Sequence, residues 1–187
     1  VAENMPSSAA YKPGDVVTAM NGKTIEITNT DAEGRLILAD ALSYIITQGV
    51  SEVVDIATLT GACSVALGDC ASAVIGNDQP IIDRFRAISE RTGDALWQLP
   101  LYDAYLDYLK SDVADMINAN ENRLAGTGTA AMFLSQFVGE TPWAHLDIAS
   151  TMNYSKTNGY EVKGMSGSGV RNLIQFVLSD DIVSIST

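Results

Sequence analysis

Short runs of β-branched residues alternate with helical stripes along this chain, and that order leaves few architectures open. Val53 to Leu59, Ala73 to Ile75 and Trp143 to Ala149 read as strands. Leu36 to Thr47, Pro80 to Thr92 and Thr129 to Val138 carry apolar residues at helical spacing, and Gly169 to Leu178 predicts a closing helix. Tyr102, Tyr105, Leu106 and Leu109 form a shorter stripe. Strands that alternate with helices predict an α/β fold, with a mixed, largely parallel sheet flanked by helices. One antiparallel hairpin is expected near the N-terminus. There Lys12-Pro13-Gly14-Asp15 is turn chemistry, and Val16 to Met20 and Thr24 to Ile27 flank Asn21-Gly22. The helix over Leu36 to Thr47 is apolar on nearly every face, which predicts burial on several sides. No repeat or linker divides the 187 residues, so 1–187 is expected to form a single domain. Val1-Ala2, leading into Asn4-Met5-Pro6, reads as the end of a strand entering a loop.

Composition closes several function classes. With 23 acids against 11 bases the formal net charge is −12, which argues against nucleic-acid binding through this chain. No apolar run reaches the roughly 18 residues that a membrane span requires. Cys63 and Cys70 are the only two cysteines, too few for a disulfide framework or a thiolate zinc site. Both are expected to be reduced, buried small hydrophobes. The N-terminal residues lack the pattern of a signal peptide, which gives a cytoplasmic expectation.

Asn29 to Leu36 is the segment richest in chemistry. Asp31 and Glu33 are two apart, so in an extended loop their carboxylates project to one side and attract a divalent cation. Arg35 then falls in the first turn of a helix, where free N–H groups and the macrodipole favour an anion. The competing reading has Thr30 or Asp31 capping the helix, with Glu33 stabilising its positive end. Spacing alone leaves both open. Thr58-Leu59-Thr60-Gly61 follows a strand, where open α/β sheets present ligands to their loops. An ordinary strand-to-loop passage explains it equally well.

The other candidates are weaker. His145 is the only histidine, and His145-Leu146-Asp147 puts imidazole and carboxylate on one side of a strand. Joined to Ser166 or Ser168 it would make a serine triad, but neither serine sits in a Gly-x-Ser-x-Gly elbow. A hydrogen-bonded structural histidine is the better reading. Gly164 to Gly169 lacks the spacing of a nucleotide loop and is expected to be a tight turn into the last helix. Asp112-Val113-Ala114-Asp115 has the look of a metal or capping motif, with capping the commoner outcome.

Asn29-Thr30-Asp31-Ala32-Glu33-Gly34-Arg35-Leu36 closely resembles the signature of the leucyl aminopeptidase, or cytosol aminopeptidase, family. The resemblance continues in order through Glu3 to Ser7, Tyr11 to Val16, Asn21 to Thr24, Asp55 to Ala62, Ser111 to Asp115 and Trp143 to Ala149, and covers residues 1 to about 178. It implies a two-metal exopeptidase that releases N-terminal residues, often leucine, from peptides. By the same matching Asp31 and Glu33 are metal ligands, with Glu33 bridging two zinc, manganese or magnesium ions. Arg35 holds a bicarbonate that acts as general base, assisted by the backbone at Gly34 and Leu59. Thr58 and Gly61 lie against the substrate, and Asn29 and Ala32 line the site. The family is hexameric, so self-association is implied too.

The departures from that pattern set a further expectation. The family's Thr-Phe-Asp-Ser-Gly-Gly and Asp-Met-Gly-Gly segments, which supply two lysines and two aspartates to the site, have no counterpart here. The chain is therefore expected to be the C-terminal portion of the catalytic domain and inactive in isolation. The family's usual Gly after Ala149 is replaced by Ser150. A non-catalytic assembly or binding module with the same fold is the alternative, and a serine hydrolase a distant third.

Overall fold

The structure, a computed structural model, describes Ser7 and residues 9–185, with side chains through Ser179. The strand end read at Val1-Ala2 lies outside the described residues. In chain order the elements are β1 (Val16–Thr18), β2 (Thr24–Glu26), α1 (Glu33–Ile46), β3 (Val53–Ala57), α2 (Gly61–Leu67), β4 (Ser72–Gly76) and α3 (Gln79–Thr92). There follow β5 (Leu96–Gln98), β6 (Met116–Ile117), α4 (Gly126–Ser135), β7 (Trp143–Asp147), β8 (Asn153–Tyr154), β9 (Gly164–Met165) and α5 (Val170–Ile185). Two 3-10 segments, Thr30–Ala32 and Asp103–Leu109, complete the set.

The main sheet runs β3-β7-β4-β5. β3 and β7 pair in parallel, as do β4 and β5, while β4 and β7 are antiparallel. The sheet is thus mixed and largely parallel as expected, but its antiparallel component is not confined to the hairpin. Gly76 marks the close approach at that central pairing, because an added Cβ would lie 2.1 Å from the Trp143 carbonyl oxygen. The expected hairpin forms from β1 and β2 around Gly22 (φ 89°), and β6 adds to it in parallel. Asp115 pins this small sheet by accepting from both the amide and the hydroxyl of Thr24, each at 2.8 Å. Those bonds hold its carboxyl below the ordinary range. Asp115 thus pins a sheet and does not cap a helix, which corrects the capping reading of Asp112 to Asp115.

Helices cover both faces of the main sheet. On one face α3 packs with α5, and Phe85 stacks on Phe176 with centroids 4.4 Å apart. The reason α3 forms is local: Asp78 caps it by accepting from the Ile81 amide, Ile81, Ile82, Phe85 and Ile88 are buried on one side, and Gly93 ends it at φ 72°. On the other face α4 lies in the larger core, buried from Thr127 through Leu134. α1 packs there through Ala39 and Leu42, yet Ile37 and Tyr44 are 68% and 55% exposed. Its apolar residues surround the helix, but burial does not. The stripe over Tyr102 to Leu109 is a 3-10 segment, with Leu109 its one buried residue. None of the helices described is long and apolar enough to cross a membrane.

A polar network is built into that larger core. His145 Nδ1 donates to Asp55 at 2.6 Å, and Trp143 Nε1 donates to the other Asp55 oxygen at 2.7 Å. His145 is therefore the structural histidine anticipated, but its partner is Asp55 on β3 and not Asp147 two residues along. Ser168 bonds with Thr151 at 2.7 Å, so no serine triad is assembled. Of Gly164 to Gly169, expected to be one tight turn, Gly164–Met165 instead forms β9, paired with β8, and the turn into α5 is confined to the residues after it, with Gly167 and Gly169 at positive φ. The cysteines divide: Cys63 is buried, and burial pushes its thiol up, whereas Cys70 is exposed, contrary to expectation.

Two outcomes follow from this packing. Asp55→Leu buries the Trp143 and His145 donors without an acceptor, and urea unfolding should register a loss of about 3 kcal/mol or more. A thiol reagent should titrate one cysteine per native chain, Cys70, and reach Cys63 only on unfolding; rapid native modification of both would contradict the packing.

Candidate active site

Three chain segments meet at one cleft of about 920 Å³. They are the start of α1, the passage from β3 into α2, and the loop entering α4. Every site residue implied by the family resemblance lines it: Asn29, Asp31, Ala32, Glu33, Gly34 and Arg35 from the first, and Thr58, Leu59 and Gly61 from the second; the weaker candidates His145, Asp147, Ser166, Ser168, Asp112 and Asp115 do not. The two segments touch, since a Cβ added at Gly34 would lie 3.5 Å from Leu59 Cδ1.

The start of α1 differs from the extended loop that the Asp-x-Glu spacing suggested. Asn29 Oδ1 accepts from the Asp31 amide at 2.9 Å and starts a 3-10 turn, and α1 begins at Glu33. Neither Thr30 nor Asp31 caps α1; Ala32 occupies that position and makes no side-chain cap. The rival reading therefore holds only in part: neither Thr30 nor Asp31 is the cap, but Glu33 does lie in the first turn of α1, at the positive end of its dipole. Asp31 and Glu33 are exposed, and no described residue forms a hydrogen bond or ion pair with either carboxylate. Among the described residues no cluster of three or more His, Cys, Asp or Glu groups forms. The chain thus contributes two acidic donors to the cleft.

Arg35 is held differently. Its Nη1 donates to the Asn118 carbonyl at 2.7 Å. Burial lowers the guanidinium to about 10, and the nearby Asp147 charge partly offsets that. A desolvated cation with one neutral partner retains capacity for an anion.

Asn118, which the sequence reading passed over, sets the geometry of this wall. It is fully buried. Its Oδ1 accepts from the Thr28 amide at 2.9 Å and the Asn29 amide at 3.2 Å, and its Nδ2 donates to the Asn29 carbonyl at 2.7 Å. A side-chain amide paired with both sides of a backbone corner leaves the chain little freedom there.

Asp147 does the same for the second segment. Buried at the end of β7, it accepts from the Leu59 amide at 3.2 Å, the Ala149 amide at 3.1 Å and the Thr60 hydroxyl at 2.6 Å. Because a carboxylate only accepts, the Thr60 hydrogen goes to Asp147. The 2.8 Å bond with Thr127 must then be donated by Thr127, which ties α2 to α4. The Leu59 amide is thereby already engaged.

The third wall is a strained loop. Arg123 and Ala125 hold φ of 61° and 48° without being glycine, each costing about 1–3 kcal/mol. Asn120 Nδ2 is buried without a hydrogen-bond partner among the described residues. Nothing in the spacing of Asn118, Asn120 or Arg123 marks them in the sequence. The preference of Asn for turns was the available signal, and it does not separate a site loop from any other.

Comparison with known proteins identifies the family. The profile described as cytosol aminopeptidase family, catalytic domain, matches residues 1–174. A probable cytosol aminopeptidase of Geobacter sp. (strain M21) is 56% identical over 175 residues, 94% of this chain and 35% of that protein. One from Alkaliphilus oremlandii (strain OhILAs) is 52% identical over 177 residues, 95% of this chain and 35% of its own length. One from Gloeobacter violaceus (strain ATCC 29082 / PCC 7421) is 51% identical over 177 residues, with the same coverage. The chain spans about a third of the length of the curated relatives it matches. With the profile covering nearly the whole sequence, the chain belongs to the cytosol aminopeptidase family and carries part of its catalytic domain.

Proposed function

We propose that this chain supplies one wall of a two-metal aminopeptidase site that releases N-terminal residues, leucine among them, from peptides. The observation that carries the reading is the placement of two unpaired carboxylates, Asp31 and Glu33, on the same cleft as the half-buried Arg35. Zinc, manganese or magnesium ions suit such oxygen donors, and two carboxylates fill part of a coordination sphere that needs more. The fit is therefore chemical and incomplete, with further ligands required from outside these residues. Bound there, the ions would supply Lewis acidity and a nucleophile available at neutral pH.

The remaining roles belong to the chain's own groups. Arg35, steadied by the Asn118 carbonyl, holds an anion such as bicarbonate in reach of the attacking water's proton. The Gly34 amide, at the uncapped start of α1, adds a donor and the helix dipole. Leu59 contributes through its position on the wall, because its amide serves Asp147. Thr58 and Gly61 lie along the peptide, and Asn29 and Ala32 close the side beside the acids. Assembly into hexamers and a cytoplasmic setting belong to the same proposal, supported by the family resemblance.

The test compares two polypeptides. In a polypeptide of the relatives' full length carrying this sequence, Glu33→Gln should lower metal-dependent hydrolysis of leucine amide by about 100-fold or more and weaken metal binding. The 187-residue chain alone should show no hydrolysis. Activity that survives both the substitution and a chelator would overturn the reading. In the same full-length background, Arg35→Ala should lower kcat by roughly 100-fold, the range of a lost general base, and leave metal affinity nearly unchanged.

A further inference from the structure

This inference rests on the peptidase reading and concerns the loop that enters α4, at the same cleft. Arg123 lines it and forms no ion pair with any described residue. Arg35, the other cation there, is already held by the Asn118 carbonyl. A lone exposed arginine is ordinary on a surface, but the loop carrying this one is built to hold it. Asn120 Oδ1 accepts from the Asn122 amide at 3.1 Å, and Asn122 Oδ1 accepts from the Leu124 amide at 2.9 Å, giving two successive side-chain turns. Between and after them Arg123 and Ala125 sit at positive φ. Non-glycine residues persist in that region where the surroundings over-determine them, and they gather at ligand sites. α4 starts immediately afterwards without a side-chain cap, and Gly126 and Thr127 also line the cleft.

The cleft therefore gathers groups of both signs from different segments. Asp31 and Glu33 stand on one wall, and an unpaired guanidinium with uncapped helix amides stands on another. A peptide amine bound at the acidic wall leaves the other end of a short peptide to the cationic one. We propose that Arg123 is a specificity-determining residue that binds a carboxylate on the leaving-group side of the substrate. That carboxylate is either the free C-terminus of a dipeptide or the acidic side chain of the residue after the scissile bond. Guanidinium and carboxylate match in planar, two-bond geometry, which a neutral amide cannot reproduce.

Isothermal titration of the full-length polypeptide with manganese tests this, using Leu-Ala, Leu-Ala amide and Leu-Asp amide whose scissile peptide bond is reduced to CH2–NH, so that none is hydrolysed. At least one of the two carboxylate-bearing peptides should bind about tenfold more tightly than Leu-Ala amide, and which one does identifies the source. The difference should disappear in Arg123→Gln, fall to an intermediate value in Arg123→Lys, which keeps the charge but not the two-bond geometry, and shrink at high salt. Equal binding of all three peptides, no binding of any, or a preference that survives Arg123→Gln overturns the inference. Arg123 is exposed, so Arg123→Gln should keep its unfolding midpoint, and Arg123→Lys carries the test if it does not. Hydrolysis of leucine amide by the full-length polypeptide reports separately on the peptidase reading. Hydrolysis without a carboxylate preference leaves that reading standing and removes this one, and a preference without hydrolysis does the reverse.

Discussion

The buried carboxylate of Asp147 is the constraint on which the arrangement depends. A charge removed from water must be answered by donors, and here the donors are the Leu59 and Ala149 amides and the Thr60 hydroxyl. Those groups belong to the turns that follow β3 and β7, two neighbouring parallel strands. One side chain therefore fixes how the chain leaves both strands at their carboxyl ends, where a sheet of this kind opens to ligands. Through Thr60 and Thr127 the same carboxylate reaches the start of α4. Its field also lies under Arg35, so the residue that shapes the loops helps keep the cleft's half-buried cation charged.

Asn118 complements it from the smaller sheet. It reads the backbone at Thr28 and Asn29 and offers its own carbonyl to Arg35, so the hairpin sheet and the start of α1 are joined through one buried amide. Two of the cleft's three walls are thereby set by two different sheets. Gly34 lying against Leu59 is the place where they meet.

Much of this was legible in the sequence, for a reason that also explains what was not. Asn29 to Arg35 is contiguous, so its chemistry is visible as a motif, and the strands and the longer helices announce themselves by period. The local conformation of the motif was misread because Asp-x-Glu spacing says nothing about Asn29, whose side chain turns the backbone before the acids arrive. Asn118 and Asp147 act on partners some 90 residues away, and no local pattern encodes that. α2 is seven residues and β5 three, too short for a periodic signal. Cys70 illustrates the converse limit: residue type favours burial, yet the turn after α2 leaves it in solvent.

The chain holds two tryptophans in opposite surroundings. Trp143 is fully buried with its indole N–H given to Asp55, and Trp97 on β5 is 62% exposed. Their fluorescence is therefore a built-in pair of signals. Trp97 emits from a wet environment whether or not the fold is intact, while Trp143 emits at shorter wavelength only as long as the core around Asp55 and His145 stays closed. A spectrum of the native chain should be a sum of two bands, and loss of the blue component marks the moment water enters beneath the cleft.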